Sequence, residues 1–157
     1  MRRTILILAI AAALISTAAA RRAAPPLAFV GALTSADFDK GRPWYDARFK
    51  GALARALQPK SPIQRLYLGG PVTSPPAKVD GAVQLWGCRA HDCAAIQANI
   101  FVQPAQNRLF VCWHDEEKDP AHDWWLADDG AAPAPLEPGV CGKDDTALSV
   151  WKDRRPG

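Results

Sequence analysis

The chain has no Gly-x-Ser-x-Gly turn, no glycine-rich loop to cradle a phosphate, and no pair of carboxylates placed for glycosidic chemistry. These gaps remove the usual signatures of serine hydrolases, nucleotide-binding enzymes and glycosidases. Histidine is scarce, with only His91, His114 and His122. A zinc site drawn from His114, His122 and neighbouring aspartates matches no closed four-ligand spacing. No metal, no cofactor and no catalytic residue is therefore expected. No internal repeat and no linker divides the chain. Its 157 residues, near the globular average in composition, point to one domain. Beyond the N-terminal stretch, no apolar run is long enough to span a bilayer.

That N-terminal stretch is itself distinctive. Met1-Arg2-Arg3 is a short basic start, Thr4 to Ile15 is almost wholly apolar, and Ser16 to Ala20 is small. This pattern reads as a secretory signal peptide, residues 1–20, with cleavage after Ala20 or alternatively Ala24. No cysteine follows the apolar run, so no lipid anchor is expected, nor any membrane association after cleavage.

Export changes how the cysteines read. All four, Cys88, Cys93, Cys112 and Cys141, lie in the mature part, and an oxidising compartment favours two disulfides. Three pairings are open. Cys88–Cys93 with Cys112–Cys141 is preferred, because the first two sit at the shoulders of a hairpin. On chain entropy the small ring contributes about 2 kcal/mol and the large one about 3.5 kcal/mol. The large ring is then the staple, and the small one is explained more by shape.

Removing Arg2 and Arg3 takes the formal charge from +3 to +1, too little for general nucleic-acid binding. The near-neutrality hides a lopsided chain. Residues 21–65 carry nine Lys/Arg against three Asp, and residues 110–147 carry ten Asp/Glu against two Lys. Solvated surface accounts for most such runs. An acidic half could also steer a basic partner.

The mature chain opens with a loose leader, then a short apolar element over Leu27–Leu33 and N-cap chemistry at Thr34-Ser35-Ala36-Asp37. A helix is expected from Pro43 to just before Pro59, with Trp44, Tyr45, Phe49, Leu53, Ala56 and Leu57 on its core face. Ser61 to Leu68 reads as extended, with turns at Gly69-Gly70-Pro71 and Ser74-Pro75-Pro76. Strands are expected over 82–87, 95–102, 108–113 and 123–127, and a last one over 147–151, with a proline-rich surface loop over 130–139. The fold class is α+β: an antiparallel sheet of about five strands in a meander, packed by helices, in one disulfide-stapled domain. A free strand edge allows a homodimer.

Between the first two firm strands lies Cys88-Arg89-Ala90-His91-Asp92-Cys93. A polar loop between strands is a projecting hairpin tip, and a bridge between its cysteines makes it stiff. Stiffness in a projecting polar loop serves binding better than folding. Two enzyme readings compete with this one. Reduced Cys88 and Cys93 with His91 could hold a metal, or a Cys–His pair could act as a nucleophile. Export argues against the metal, a plausible partner for each cysteine argues against the nucleophile, and the four-residue spacing is not that of a Cys-x-x-Cys redox site.

With these residues in view, the sequence resembles the inhibitor of vertebrate lysozyme (Ivy) family of periplasmic proteins. That family's signature is a disulfide-closed Cys-Lys-Pro-His-Asp-Cys loop, matched here at four of six positions, with Arg89 keeping the cation. Similarity extends to Gly69-Gly70, Val79 to Gly81, Ile100-Phe101-Val102, Asn107 to Val111 and Trp124-Trp125-Leu126, over roughly residues 60–130. The resemblance implies an inhibitor domain over 21–157, a periplasmic location and C-type lysozyme as protein partner. The loop would plug the enzyme's cleft, with His91 meeting its two catalytic carboxylates, one acid and one ionised. Asp92 would orient the loop or touch cleft groups, Arg89 would add a second charged contact, and Ala90 stands where the family has proline. Cys112 and Cys141 lie outside the signature. The departures leave a second target open, one of the bacterium's own peptidoglycan-cleaving enzymes.

Overall fold

Ile96 to Gln103 carries three polar side chains, Gln97, Asn99 and Gln103, among apolar ones, yet all eight residues are buried. A strand covered on both faces sits at the centre of its sheet, between two layers. The computed structural model describes residues 26–57, 72–142 and 144–156. The strands are β1 (Val72–Thr73), β2 (Ala77–Val79), β3 (Ala82–Cys88), β4 (Ile96–Gln103), β5 (Arg108–Asp115), β6 (Asp123–Ala127) and β7 (Ala134–Leu136). They form one sheet in the order β1-β3-β4-β5-β6-β7, with β2 pairing β3 alongside β1. Every pairing is antiparallel. The α+β class and the meander hold, with seven strands in place of about five.

Each face of the sheet has its own cover. On one face Leu85, Ile100, Val102 and Val111 meet helix α2 (Ala47–Leu57) through Phe49, Leu53 and Leu57. A 3-10 turn over Ala28–Ala32 and the short helix α1 (Ser35–Asp39) complete that layer. The expected cap at α1 is present: the Thr34 hydroxyl accepts from the Asp37 amide at 3.2 Å, and Asp37 Oδ2 accepts from the Thr34 amide at 3.1 Å. On the other face Phe101, Phe110 and Trp125 meet Trp151 of helix α3 (Asp144–Arg154). The Trp151 and Phe101 rings stack at 5.1 Å.

That last contact corrects one expectation. Residues 147–151 are helical, not a strand. Ala147 and Trp151 are both fully buried, and a spacing of four places them on one helical face. The helix over the other face also begins later than expected. Pro43 to Tyr45 form a turn, and α2 starts after Asp46. The Asp46 carboxylate accepts from the Arg48 amide at 2.9 Å, so it caps the helix that Pro43 was expected to open. Tyr45 consequently lies outside the core at 68% exposure, with the Lys50 ammonium 5.6 Å from its ring centre.

The prolines mislead in two places. Residues 130–139 contain β7, whose Pro135 is tolerated because β7 is an edge strand. Ser74-Pro75-Pro76 is no turn; it is an extended spacer between β1 and β2, which lie along the same side of β3. The turn itself is at Asp80 and Gly81, both with positive φ (40° and 78°), the geometry that Asp-Gly favours in a two-residue hairpin. The expectations for 58–71, including the helix end before Pro59 and the Gly69-Gly70-Pro71 turn, lie outside the described residues. No helix among the described residues is long and apolar enough to cross a membrane.

The meander has one consequence for function. Alternate strands run in opposite directions, so the β3–β4 and β5–β6 connections emerge at the same end of the sheet.

Candidate functional site

The six-residue tip grows out of the end of the β3–β4 ladder, where Cys88 pairs with Gln97. Cys88 is fully buried and bonded to Cys93, which is half-buried. The ring is therefore rooted in the sheet and opens toward solvent. Cys112 and Cys141 form the second disulfide, so the preferred pairing is the one present. Neither cysteine of the ring is a free thiol.

Backbone hydrogen bonds fold the tip back on itself. The Arg89 amide donates to the Ile96 carbonyl at 3.0 Å, and the Asp92 amide donates to the Arg89 carbonyl at 3.1 Å. His91, at the apex, has a φ of 66°. A left-handed residue with a side chain costs roughly 1 kcal/mol, and here the closed ring holds it. Ala90 and His91 are exposed, and among the described residues nothing bonds to the His91 imidazole.

Arg89 and Asp92 behave differently. The Arg89 guanidinium pairs with Asp92 inside the tip. It also forks onto Glu117 of the β5–β6 connection, at 2.9 Å to Oε2 and 2.7 Å to Oε1. The hydrogen bonds from Glu117 and then Asp92 push the guanidinium's pKa further up, and Arg89 in turn holds the Glu117 carboxyl below its ordinary range. The cation that would offer a second contact to a partner is thus already engaged within the chain.

Two further ties come from the same side. The Glu116 amide donates to the Ala95 carbonyl at 2.8 Å. His114 places Nε2 3.1 Å from the Ala94 carbonyl and Nδ1 2.7 Å from Asp123 Oδ1. Asp123 is fully buried, and its other oxygen accepts from the Cys141 amide at 2.6 Å. The tip therefore stands on a base made by the end of β5, the β5–β6 connection and β6.

Arg89, Ala90, His91 and Asp92, the residues that the sequence points to, lie together in the tip. Glu117 and Asp123 do not stand out in the sequence, where His114 is only one of three scattered histidines. A signal for them existed. Counting the β4–β5 register back from Gln103 opposite Arg108 brings Gln97 opposite His114, and so Ala94 and Ala95 beside residues 116–117. His122, the remaining imidazole, lies half exposed with Nδ1 3.3 Å from Asp119 Oδ1. Among the described residues no three His, Cys, Asp or Glu side chains form a metal-sized group.

The acidic half of the chain is partly answered from within. Asp128 takes Arg55 at 3.5 Å and Arg108 at 3.6 Å, and Arg108 also reaches Asp129 at 2.5 Å.

A family model described as inhibitor of vertebrate lysozyme (Ivy) matches residues 48–138. The match includes the tip and every side chain of its base. No curated protein and no solved structure matches the chain.

Proposed function

Since the chain belongs to the inhibitor of vertebrate lysozyme (Ivy) family, we propose that it blocks C-type lysozyme by inserting the Cys88–Cys93 tip into the enzyme's active-site cleft. One observation carries this reading. His91 is exposed at the apex of a disulfide-closed loop, and among the described residues nothing engages its ring. An imidazole presented this way is suited to a cleft lined by carboxylates. An ionised carboxylate beside the ring favours the imidazolium, which donates from both nitrogens. Ala90 adds little bulk beside it, so the apex is narrow. Asp92 and Arg89 hold the apex in shape, and the preformed tip loses little entropy on docking.

The location follows the same reading. Residues 1–20 direct export and are removed, and the mature domain works in the periplasm, where its disulfides form. There it would meet a lysozyme that had crossed the outer barrier.

The test is a titration of C-type lysozyme activity with the protein lacking residues 1–20, beside its His91→Ala variant. Wild type should suppress wall cleavage, and the variant should need at least about tenfold more protein, as for an anchor residue at an interface centre. Full lysozyme activity in the presence of wild type with both disulfides intact would sink the reading.

A further inference from the structure

We infer that His114 is a positioning residue for the tip, holding the backbone just after Cys93 through the Ala94 carbonyl while its other ring nitrogen meets the buried carboxylate of Asp123; this inference rests on the tip being the inhibitory element. His114 lies near the end of β5, and its side chain is 13% exposed. Each ring nitrogen faces an acceptor: the Asp123 carboxylate at Nδ1 and the Ala94 carbonyl at Nε2. A neutral imidazole has one N–H and satisfies one of them. The doubly protonated ring satisfies both.

The geometry makes a short line from the core to the tip. The Cys141 amide holds Asp123, Asp123 holds His114, and His114 holds Ala94, which follows Cys93 directly. The Arg89–Glu117 fork braces the opposite shoulder of the loop. The charged group that faces the His114 ring is Asp123 on β6; Asp115 and Glu116 follow along its own chain, and Arg89, Asp92 and Glu117 pair with one another in the brace. A tip held at both shoulders presents His91 at one angle.

A plainer role is available to His114, namely satisfying Asp123 and nothing more. Two substitutions separate the roles. In glutamine the amide nitrogen falls near the position of Nε2, so His114→Gln keeps a donor for Ala94 and loses the tie to Asp123. In asparagine it falls near Nδ1, so His114→Asn does the reverse. The positioning role expects His114→Gln to inhibit lysozyme within about threefold of wild type per folded molecule, even if its melting temperature falls. It expects His114→Asn to lose about tenfold, the worth of one well-placed hydrogen bond. Amide hydrogen exchange at Ile96 and Glu116, whose amides donate to the Asp92 and Ala95 carbonyls on either side of Ala94, should quicken in His114→Asn and not in His114→Gln. Equal inhibition per folded molecule by both variants, with unchanged exchange at Ile96 and Glu116, would overturn the inference.

A wild-type measurement guards against variants that fail to fold. Proton NMR of the His114 ring should show an Nε2 proton that is shielded from solvent exchange by its bond to the Ala94 carbonyl. A rapidly exchanging Nε2 proton would equally overturn the proposal. If wild type leaves lysozyme uninhibited, the proposed function fails, while the exchange and NMR measurements still decide the role of His114.

Discussion

Arg89 and Glu117 stand twenty-eight residues apart in the chain and meet in a forked ion pair at 2.7 and 2.9 Å. The pair joins the β3–β4 tip to the β5–β6 connection. It draws on the lopsided charge of the sequence in an unforeseen way, because an acid from the acidic half meets a cation of the tip within the same molecule.

Glu117→Gln should therefore loosen the tip without unfolding the protein. The pair is exposed enough that stability changes little. Inhibition of C-type lysozyme should weaken by about fivefold at most, and amide exchange at residues 90–94 should quicken. The pH dependence has a definite sign. Arg89 holds the Glu117 carboxyl below its ordinary range, so the brace is complete above the usual glutamate value of about 4.3 and is lost as pH falls below it. Wild-type protection at 90–94, corrected for the intrinsic pH dependence of exchange, should fall in acid while that of Glu117→Gln stays flat. A flat wild-type profile would show that the pair does not order the tip.

Asp46 gives a second acid-sensitive contact, far from the tip. Its carboxyl is lowered to about 2, chiefly by the Arg48 side chain and against the effect of burial. It also caps α2 through the Arg48 amide. Asp46→Ala should cost about 1 kcal/mol in urea unfolding at neutral pH, as loss of an N-cap does. The contribution is fully present above the ordinary aspartate value of about 3.9 and disappears as pH falls through about 2. The gap between wild type and variant should therefore close in strong acid. A constant gap would assign the effect to packing.

Trp151 is the anchor of the second layer. It is fully buried and stacks on Phe101 at 5.1 Å, yet among the described residues its indole nitrogen has no hydrogen-bond partner. Trp151→Ala should lower stability by about 3–5 kcal/mol, through lost burial and a cavity. Trp151→Phe should cost much less, because no hydrogen bond is lost with the indole. Urea unfolding of both variants checks this. Similar large losses in both would mean that the indole's shape or its N–H matters more than the apolar contact.

The legible parts of the sequence were those with one local explanation. Cys88 and Cys93 flank a polar apex between alternating strands, and only a hairpin tip suits that pattern. Thr34 and Asp37 cap α1 as their spacing suggests. Residues 147–151 were ambiguous for a physical reason. Five residues sample too little of either period, and the contact that decides is between Trp151 and the distant Phe101. β7 was hidden because Pro133, Pro135 and Pro138 signal a loop unless the strand is known to be an edge. The Asp80-Gly81 turn has a local signature, since Asp-Gly favours the positive φ that both residues adopt. The base of the tip was hardest, because Arg89 finds Glu117 and Ala94 finds His114 only once the β4–β5 register is fixed.

The two disulfides should separate stability from inhibition. The Cys88–Cys93 ring is small, so opening it by paired serine substitution should cost about 2 kcal/mol on chain entropy. It also frees the left-handed apex at His91, whose strained φ the ring maintains. Inhibition should then fall by about tenfold or more, as an ordered tip becomes one that must order on binding. Opening Cys112–Cys141 removes a ring with a sequence separation of 29 that ties β5 to the segment before α3, at a cost of about 3.5 kcal/mol. Inhibition per folded molecule should fall far less, because the tip's own ring is intact. Denaturant unfolding and lysozyme titration on the two paired variants decide the matter. If both lose inhibition only in proportion to their lost stability, the small ring is a second staple, and the rigidity of the tip contributes nothing to binding.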